Sequence, residues 1–422
     1  MIKIEVPYGD TMQKAEIPDS IPVQIIDPEC PPVEKNIEEL IEAALDTPIG
    51  TPRLEDMVTE KDHVLIVVND HTRPGPNKEL AEGVAGRLKK AGVPDDHITF
   101  IIATGSHRGS TDQEIDVLIG RDLHSRMKVV NHDCKKNNVY MGQLDNGLPL
   151  YIDRLAVDAD FIVTTGLVAP HKAAGFSGGR KSIVPGVTGL ETLKIHHSLP
   201  IRPFEPALGW MEENPFHQAA VEAAKKVKVR FILNAVQDTH KQNVAVVAGD
   251  LERAHEEGVR ICREHNTVEC DKRGDLIIAS PGGAPRDCNL YQAQKALATE
   301  EVFAAASKNT TLVLVARAED GIGPQLFQDW LIEADTPDQV IERFRTEGFD
   351  VGTNKAFEYA RAMKKGKVVI VSENVDSEQL KKMKIDWAPD LQTAVDAALK
   401  RFTPQQVIVL PKAVSIIPHF KN

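Results

Sequence analysis

The chain has 422 residues, enough for two domains or three. Its 62 acidic side chains outnumber 50 basic ones, giving a formal net charge of −12, the opposite of the basic surplus a nucleic-acid binder carries. A composition of 42% hydrophobic and 27% charged residues excludes a disordered chain, and 5% aromatic residues leave little for a stacking platform.

The first residues, Met1 to Tyr8, alternate apolar and charged side chains like a strand and lack the apolar core of a signal peptide. No stretch approaches the ~20 apolar residues of a membrane helix. Apolar runs then recur at residues 63–70, 98–104, 161–165, 275–280, 311–316, 367–372 and 406–410. They are continuous rather than alternating, which predicts strands buried on both faces of parallel sheets. Helical patterns fall between them at 77–91, 214–226, 251–264, 291–307, 337–346 and 391–401. The expected fold class is α/β, with two domains and mostly parallel sheets. A polar break at 269–274 places the boundary. It separates an N-terminal α/β domain, 1–271, from a C-terminal α/β domain, 272–410, with a tail, 411–422, expected to return to the first.

Five cysteines (Cys30, Cys134, Cys262, Cys270 and Cys288) are scattered and show no CxxC spacing. That pattern points to a reducing cytoplasm and argues against a disulfide frame or a structural zinc site.

In open α/β sheets, ligands bind beyond the carboxyl ends of the strands. Four such ends carry polar clusters. The first is Asp70-His71-Thr72-Arg73-Pro74, in which Arg73 offers a planar fork for a carboxylate or phosphate. The second is Thr104-Gly105-Ser106-His107-Arg108, followed by Thr111 as a helix cap. The third runs from His171 and Lys172 through Gly175, Ser177, Gly178, Gly179, Arg180 and Lys181 to Ser182. Its glycines let backbone N–H groups approach an anion while the cations balance its charge. Arg180 interrupts the P-loop pattern GxxxxGK[ST], which argues against a nucleotide triphosphatase. The fourth is Pro281 to Asp287 with Tyr291, Gln292 and Lys295, which share a face if 291–307 is one helix. His196 and His197 are adjacent and point about 100° apart on a helix, so one of them at most serves as a ligand to a given metal. The residues alone describe an enzyme for a small anionic substrate with a phosphorylated cofactor, two histidines being suited to acid and base work near neutral pH. The competing reading is a non-catalytic binding or carrier protein for a phosphorylated nucleotide cofactor.

Taken together, the motifs 70–74, 103–108 and 171–182, with His197, resemble the nickel-dependent lactate racemase family over nearly the whole chain. The resemblance implies a two-domain α/β isomerase, a 2-hydroxyacid racemase or epimerase, with its active site in the cleft between the domains. It implies a nickel-pincer nucleotide, a pyridinium-3,5-dithio mononucleotide, linked to Lys181, with His197 as the nickel ligand. Cofactor contacts fall to Asp70 and to Ser177, Gly178, Gly179 and Arg180, the last four at its phosphate. His107 and His171 become the paired acid and base. Arg73, Tyr291, Gln292 and Lys295 become substrate contacts. The implied mechanism is proton-coupled hydride transfer from C2, and the implied partners are the substrate and the cofactor-biosynthesis proteins that load the enzyme, with no nucleic acid or membrane. Lactate-specific members place a tryptophan in the second domain. Residues 352–356 hold none, and Lys355 there favours a second anionic group or several hydroxyls, so the expected substrate is lactate or a larger, more polar 2-hydroxy acid.

Overall fold

A computed structural model describes residues 1–421, and Asn422, the end of the expected tail, lies outside the described residues. The chain divides into two compact units. The N-terminal unit comprises Cys30–His196 and Trp210–His265. The C-terminal unit comprises Met1–Glu29, His197–Gly209 and the chain from Asn266 onward. Among the described residues no helix is long and apolar enough to cross a membrane.

The N-terminal unit is built on a six-stranded sheet in the order Asn243–Gly249, Val229–Gln237, Phe161–Val168, Val64–Asn69, Ile98–Ala103, Lys128–Asn131. Five strands are parallel, and the edge strand Asn243–Gly249 is antiparallel. The apolar runs behave as buried parallel strands should: Val64 to Val68 are all buried. On one face Ile66, Val68, Phe100 and Ile102 pack with Leu80, Val84 and Leu88 of the helix Asn77–Lys90. Each fully buried side chain of this kind contributes roughly 1.5–3 kcal/mol. Adjacent strands lie about 4.8 Å apart, so the loops leaving Phe161–Val168, Val64–Asn69 and Ile98–Ala103 fall within side-chain reach of one another.

The C-terminal unit holds a second six-stranded sheet, wholly parallel, in the order Asp386–Ala388, Lys367–Val371, Thr311–Val315, Leu276–Ala279, Val407–Leu410, Val23–Ile25. An antiparallel hairpin, Ile2–Tyr8 with Thr11–Ile17, buries Ile4, Val6 and Tyr8 in the same core as Leu276 and Val313.

The single boundary expected at 271 is corrected in three ways. The chain crosses for the last time between His265 and Asn266. Residues 1–29 belong with the C-terminal unit, because Val23–Ile25 supplies an edge strand to Val407–Leu410. The tail also stays there, as Ile417–Phe420 pairs with Thr267–Cys270. Alternation in the first residues announced a strand but carried no information about which sheet core would cover it. The helix expected at 291–307 is two pieces, Leu290–Ala293 and Lys295–Phe303, meeting at Gln294.

Candidate active site

Three neighbouring strand ends of the N-terminal unit bring four expected residues, Asp70, Arg73, His107 and His171, to one edge of the sheet. Asp70 follows Val64–Asn69 and is buried. Its Oδ2 lies 2.6 Å from Nδ1 of His107, and its Oδ1 accepts from the Thr72 hydroxyl at 2.8 Å. Burial pushes the Asp70 carboxyl up, but the bond from His107 and the charge of Arg73 outweigh it and hold the group at about 2. Asp70 is therefore ionised, a pure acceptor, and His107 must carry its proton on Nδ1. In a neutral ring that leaves the lone pair on Nε2. Arg73 is exposed and donates through Nη1 to the Thr72 hydroxyl at 2.9 Å.

His107 follows Ile98–Ala103 through a tight turn in which its N–H donates to the Thr104 carbonyl at 2.9 Å. Gly105 has φ +55°, and a Cβ there would stand 3.3 Å from the Pro185 carbonyl oxygen. Thr111 caps the next helix in a capping box with Glu114, as its position predicts.

His171 sits in a two-residue ladder, Pro170–His171 against Gly175–Phe176, beyond the strand Phe161–Val168. Gly175 is obligatory: with φ +72°, its Cβ would lie 2.2 Å from the Trp210 carbonyl oxygen. The N–H groups of Ala173 and Ala174 donate to His171 Nδ1 at 3.1 and 3.0 Å. Nδ1 of His171 thus meets two donors, whereas Nδ1 of His107 meets a carboxylate acceptor. Nε2 lies 3.4 Å from Lys181 Nζ, which also stands 5.4 Å above the Phe216 ring.

The stretch expected at a phosphate is engaged elsewhere. The Ser177 hydroxyl donates to the Leu167 carbonyl at 2.6 Å and accepts from Ala169 N–H at 3.0 Å. The Gly179 N–H donates to Asn234 Oδ1 at 2.8 Å. Arg180 is 1% exposed. Its Nε donates to His217 Nδ1, and its Nη atoms to the carbonyls of Ala174, Phe176, Ser177 and Gly178 and to His255 Nε2. Burial lowers its pKa to about 9, which leaves it charged at neutral pH. Burial, then the Arg180 charge, pushes His217 down to about 4 and His255 well below its usual range, so both rings are neutral. Ser177, Gly179 and Arg180 fasten the loop rather than face outward.

His196 is fully buried, with Nε2 3.0 Å from the Phe216 carbonyl oxygen and its ring 3.8 Å from the Phe216 ring. The chain passes into the C-terminal unit immediately after it, and His197 is half-buried there with its ring 5.1 Å from Phe349. In the same unit Tyr291, Gln292 and Lys295 are half-buried, and Lys295 Nζ donates to Gln292 Oε1 at 2.7 Å. Lys355 departs from its expected outward role. It is 5% exposed, its Nζ donates to Gln294 Oε1 at 3.2 Å, and it lies 3.6 Å from Glu358 Oε2 and 5.0 Å above the Tyr291 ring. Its charge is balanced inside the protein, so the argument from Lys355 for a second anionic group on the substrate falls away.

Sequence reasoning missed Asn234, His217 and His255, which stand far from the motifs in sequence and carry no local signal. It placed Asp70 with the cofactor, whereas the carboxylate grips His107. Among the described residues no group of three or more His, Cys, Asp or Glu side chains is arranged to hold a metal.

Two family models match the chain: the lactate racemase N-terminal domain over residues 8–207 and the lactate racemase C-terminal domain over 269–418. The chain is 34% identical to the lactate racemase of Thermoanaerobacterium thermosaccharolyticum, with 99% of each covered. It is 32% identical to that of Lactiplantibacillus plantarum, over 99% of this chain and 100% of the other. The solved structure of the T. thermosaccharolyticum lactate racemase apoprotein superposes with a TM-score of 0.89 at 32% identity, covering 99% of this chain and all of the other. A Thermotoga maritima protein, at 18% identity and a TM-score of 0.68, shares the fold.

Proposed function

The chain belongs to the lactate racemase family, a family of isomerases, and from that premise we propose that it inverts the C2 carbon of a 2-hydroxy acid, lactate or a larger, more polar relative. The observation that carries the reading is the pair of histidines beyond the two strands that flank Val64–Asn69, each with its Nδ1 tied to a different partner. His107 keeps its proton on Nδ1, where Asp70 accepts from it, so a neutral ring presents its lone pair on Nε2. At His171 two backbone N–H groups occupy Nδ1, and Nε2 faces Lys181 Nζ. The two rings are held by different partners before any substrate arrives, as an acid and base pair that must not be interchangeable requires.

The proposed cofactor is a nickel-pincer nucleotide, and the residues fit it. Lys181 offers an amine on a short turn fastened by Arg180 and Asn234. A nickel ion gripped by sulfur and carbon donors takes a single protein imidazole rather than a cluster of ligands. His197 suits that place better than His196, whose ring is buried and bonded to Phe216. Lys181 would hold the group covalently and His197 its metal. When bound, the group supplies hydride chemistry at C2.

The remaining work belongs to the chain. Arg73 offers its planar fork to the substrate carboxylate, and Lys295 adds a second positive charge. His107 takes the hydroxyl proton at Nε2, and the imidazolium so formed is stabilised by ionised Asp70. His171 exchanges the hydroxyl proton of the mirror product at its own Nε2. For the other enantiomer the two rings exchange roles once their protons have re-equilibrated with water. Two histidines are needed because one fixed base cannot reach both faces of C2.

The test is a panel of single-enantiomer 2-hydroxy acids assayed by chiral chromatography, using protein purified from a host that makes the cofactor. Racemisation or epimerisation of at least one member is expected. No turnover of any member by nickel-loaded protein would overturn the reading.

A further inference from the structure

We propose that Arg286 anchors an anion site in the C-terminal unit, which takes a small oxyanion, a carboxylate or phosphate group, beyond the carboxyl ends of the central strands. The proposal does not depend on the reaction assigned above. From Leu276–Ala279 the chain moves across the sheet in one direction, through Thr311–Val315 and Lys367–Val371 to Asp386–Ala388. It then returns to the other side of its starting strand as Val407–Leu410. Open parallel sheets bind ligands at the place where the strand order reverses, because the loops on its two sides part there. Arg286 lies in the loop that follows Leu276–Ala279, and Ser415 in the loop that follows Val407–Leu410. Arg286 Nη1 donates to the Ser415 hydroxyl oxygen at 2.9 Å, so the side chain bridges the two loops.

Its remaining donors carry the argument. A guanidinium has five N–H groups. Among the described residues the contact with Ser415 is the only hydrogen bond of the Arg286 side chain. The edge formed by Nε and Nη2 is left open, and it is the edge that pairs side-on with two oxygens of one carboxylate or phosphate. Asp287, next in sequence, does not neutralise the charge, because its Oδ2 accepts from the N–H groups of Gly9 and Arg317 at 2.7 and 3.1 Å. Burial lowers the pKa of Arg286, and no neighbouring charge opposes that effect. Other buried arginines are provided for. Arg202 pairs with Glu358, Arg361 with Glu301, and Arg87 with Glu42, Asp46 and Glu55. Arg180 spends its donors on carbonyls and imidazoles. A cation withdrawn from water without a counter-charge is costly, and an arriving oxyanion supplies both the charge and the missing acceptors. Arg286 is half-buried rather than sealed, so an anion can reach it.

The experiment reads the guanidinium directly. Nε–Hε resonances of protein labelled with 15N-arginine report each arginine, and Arg286→Gln identifies its signal by removing it. The labelled protein is titrated with sodium phosphate and, separately, with sodium L-lactate, each against sodium chloride at matched ionic strength. The Arg286 resonance is expected to move saturably with at least one of the two oxyanions and not with chloride. Movement with phosphate assigns a phosphate group to the site, and movement with lactate a carboxylate. The oxyanion that binds is expected to raise the melting temperature of the parent. Arg286→Gln should weaken that binding by more than about tenfold. Ser415→Ala keeps the guanidinium but releases Nη1, and should weaken it several-fold. Should Arg286→Gln fail to fold, Ser415→Ala identifies the signal by displacing it. An Arg286 resonance that follows ionic strength alone, or that responds to neither oxyanion, overturns the proposal.

Discussion

His107 Nδ1 stands 2.6 Å from the Oδ2 of Asp70, a carboxylate only 2% exposed. The contact joins the ends of two adjacent parallel strands, Val64–Asn69 and Ile98–Ala103, and it ties Nδ1 of His107 to a carboxylate, which in the proposed reaction leaves Nε2 for the substrate.

Asp70→Asn tests that relationship. An amide can donate to Nδ1 as well as accept from it, so it permits the wrong ring form. Turnover is expected to fall roughly 10²–10⁴-fold with the fold retained. The carboxylate also adds a pH dependence to stability. Its pKa in the folded chain is lowered from 3.8 to about 2, so its contribution is present above the unfolded value and is lost as pH falls through the folded one. The contribution is roughly 2 kcal/mol. Thermal unfolding followed downward from neutral pH should show the parent losing more stability than Asp70→Asn below about pH 4. Parallel losses in the two proteins would remove Asp70 as the acid-sensitive group.

Glu300 carries the opposite dependence. It is fully buried in the helix Lys295–Phe303, and burial together with the neighbouring Glu301 raises its pKa well above the usual carboxylate range. A raised folded value means stability that is whole below the unfolded pKa and lost as pH rises through the folded one. Glu300→Gln has no proton to lose there. Urea unfolding at about pH 5 and about pH 8.5 should show the variant gaining on the parent at the higher pH. An equal difference at both values would show that Glu300 does not titrate with unfolding.

Much of the sheet architecture was legible because parallel strands buried on both faces leave unbroken apolar runs, and all seven such runs are strands. The strand Val229–Gln237 escaped because Arg230, Asn234 and Gln237 interrupt its run. The helix Thr353–Lys365 escaped for a different reason. It is buried all round from Thr353 to Ala362, and polar Thr353, Asn354, Lys355, Glu358 and Arg361 are buried beside Phe357 and Tyr359, so polarity in the sequence does not mark its exposed face. The polar clusters at strand ends were legible because each is local. The Asp70–His107 pairing spans 37 positions, and no spacing rule reveals it. Arg180 was misread because a cation among glycines looks the same in sequence whether it faces an anion or its own loop.

The buried charges of Thr353–Lys365 give a third prediction. Glu358 is fully buried and pairs with Arg202, while Arg361 pairs with Glu301 at 2.7 Å. Removing one partner leaves a buried charge uncompensated, so Arg202→Met should cost about 3–5 kcal/mol. Replacing both, Arg202→Met with Glu358→Leu, should cost clearly less, because the desolvation of two charges disappears with their attraction. Denaturant unfolding of the two single variants and the double variant measures the coupling. A double variant as damaged as the sum of the singles would show that the charges do not act as a pair.

The adjacent histidines separate structure from chemistry most cleanly. His196 fills a buried position against Phe216 and bonds to its carbonyl, so His196→Ala leaves a cavity and an unsatisfied acceptor and should cost about 2–4 kcal/mol. His197 is half-buried beside Phe349, and His197→Ala should change stability little. Metal content should show the reverse. Protein purified from a cofactor-producing host should lose its nickel in His197→Ala and keep it in the folded fraction of His196→Ala, measured by elemental analysis after desalting. Nickel lost in the His196 variant and kept in the His197 variant would exchange the two assignments. Nickel kept in both would mean that neither imidazole holds the metal, and Lys181 would then be the residue at which a covalent mass increment still reports the cofactor.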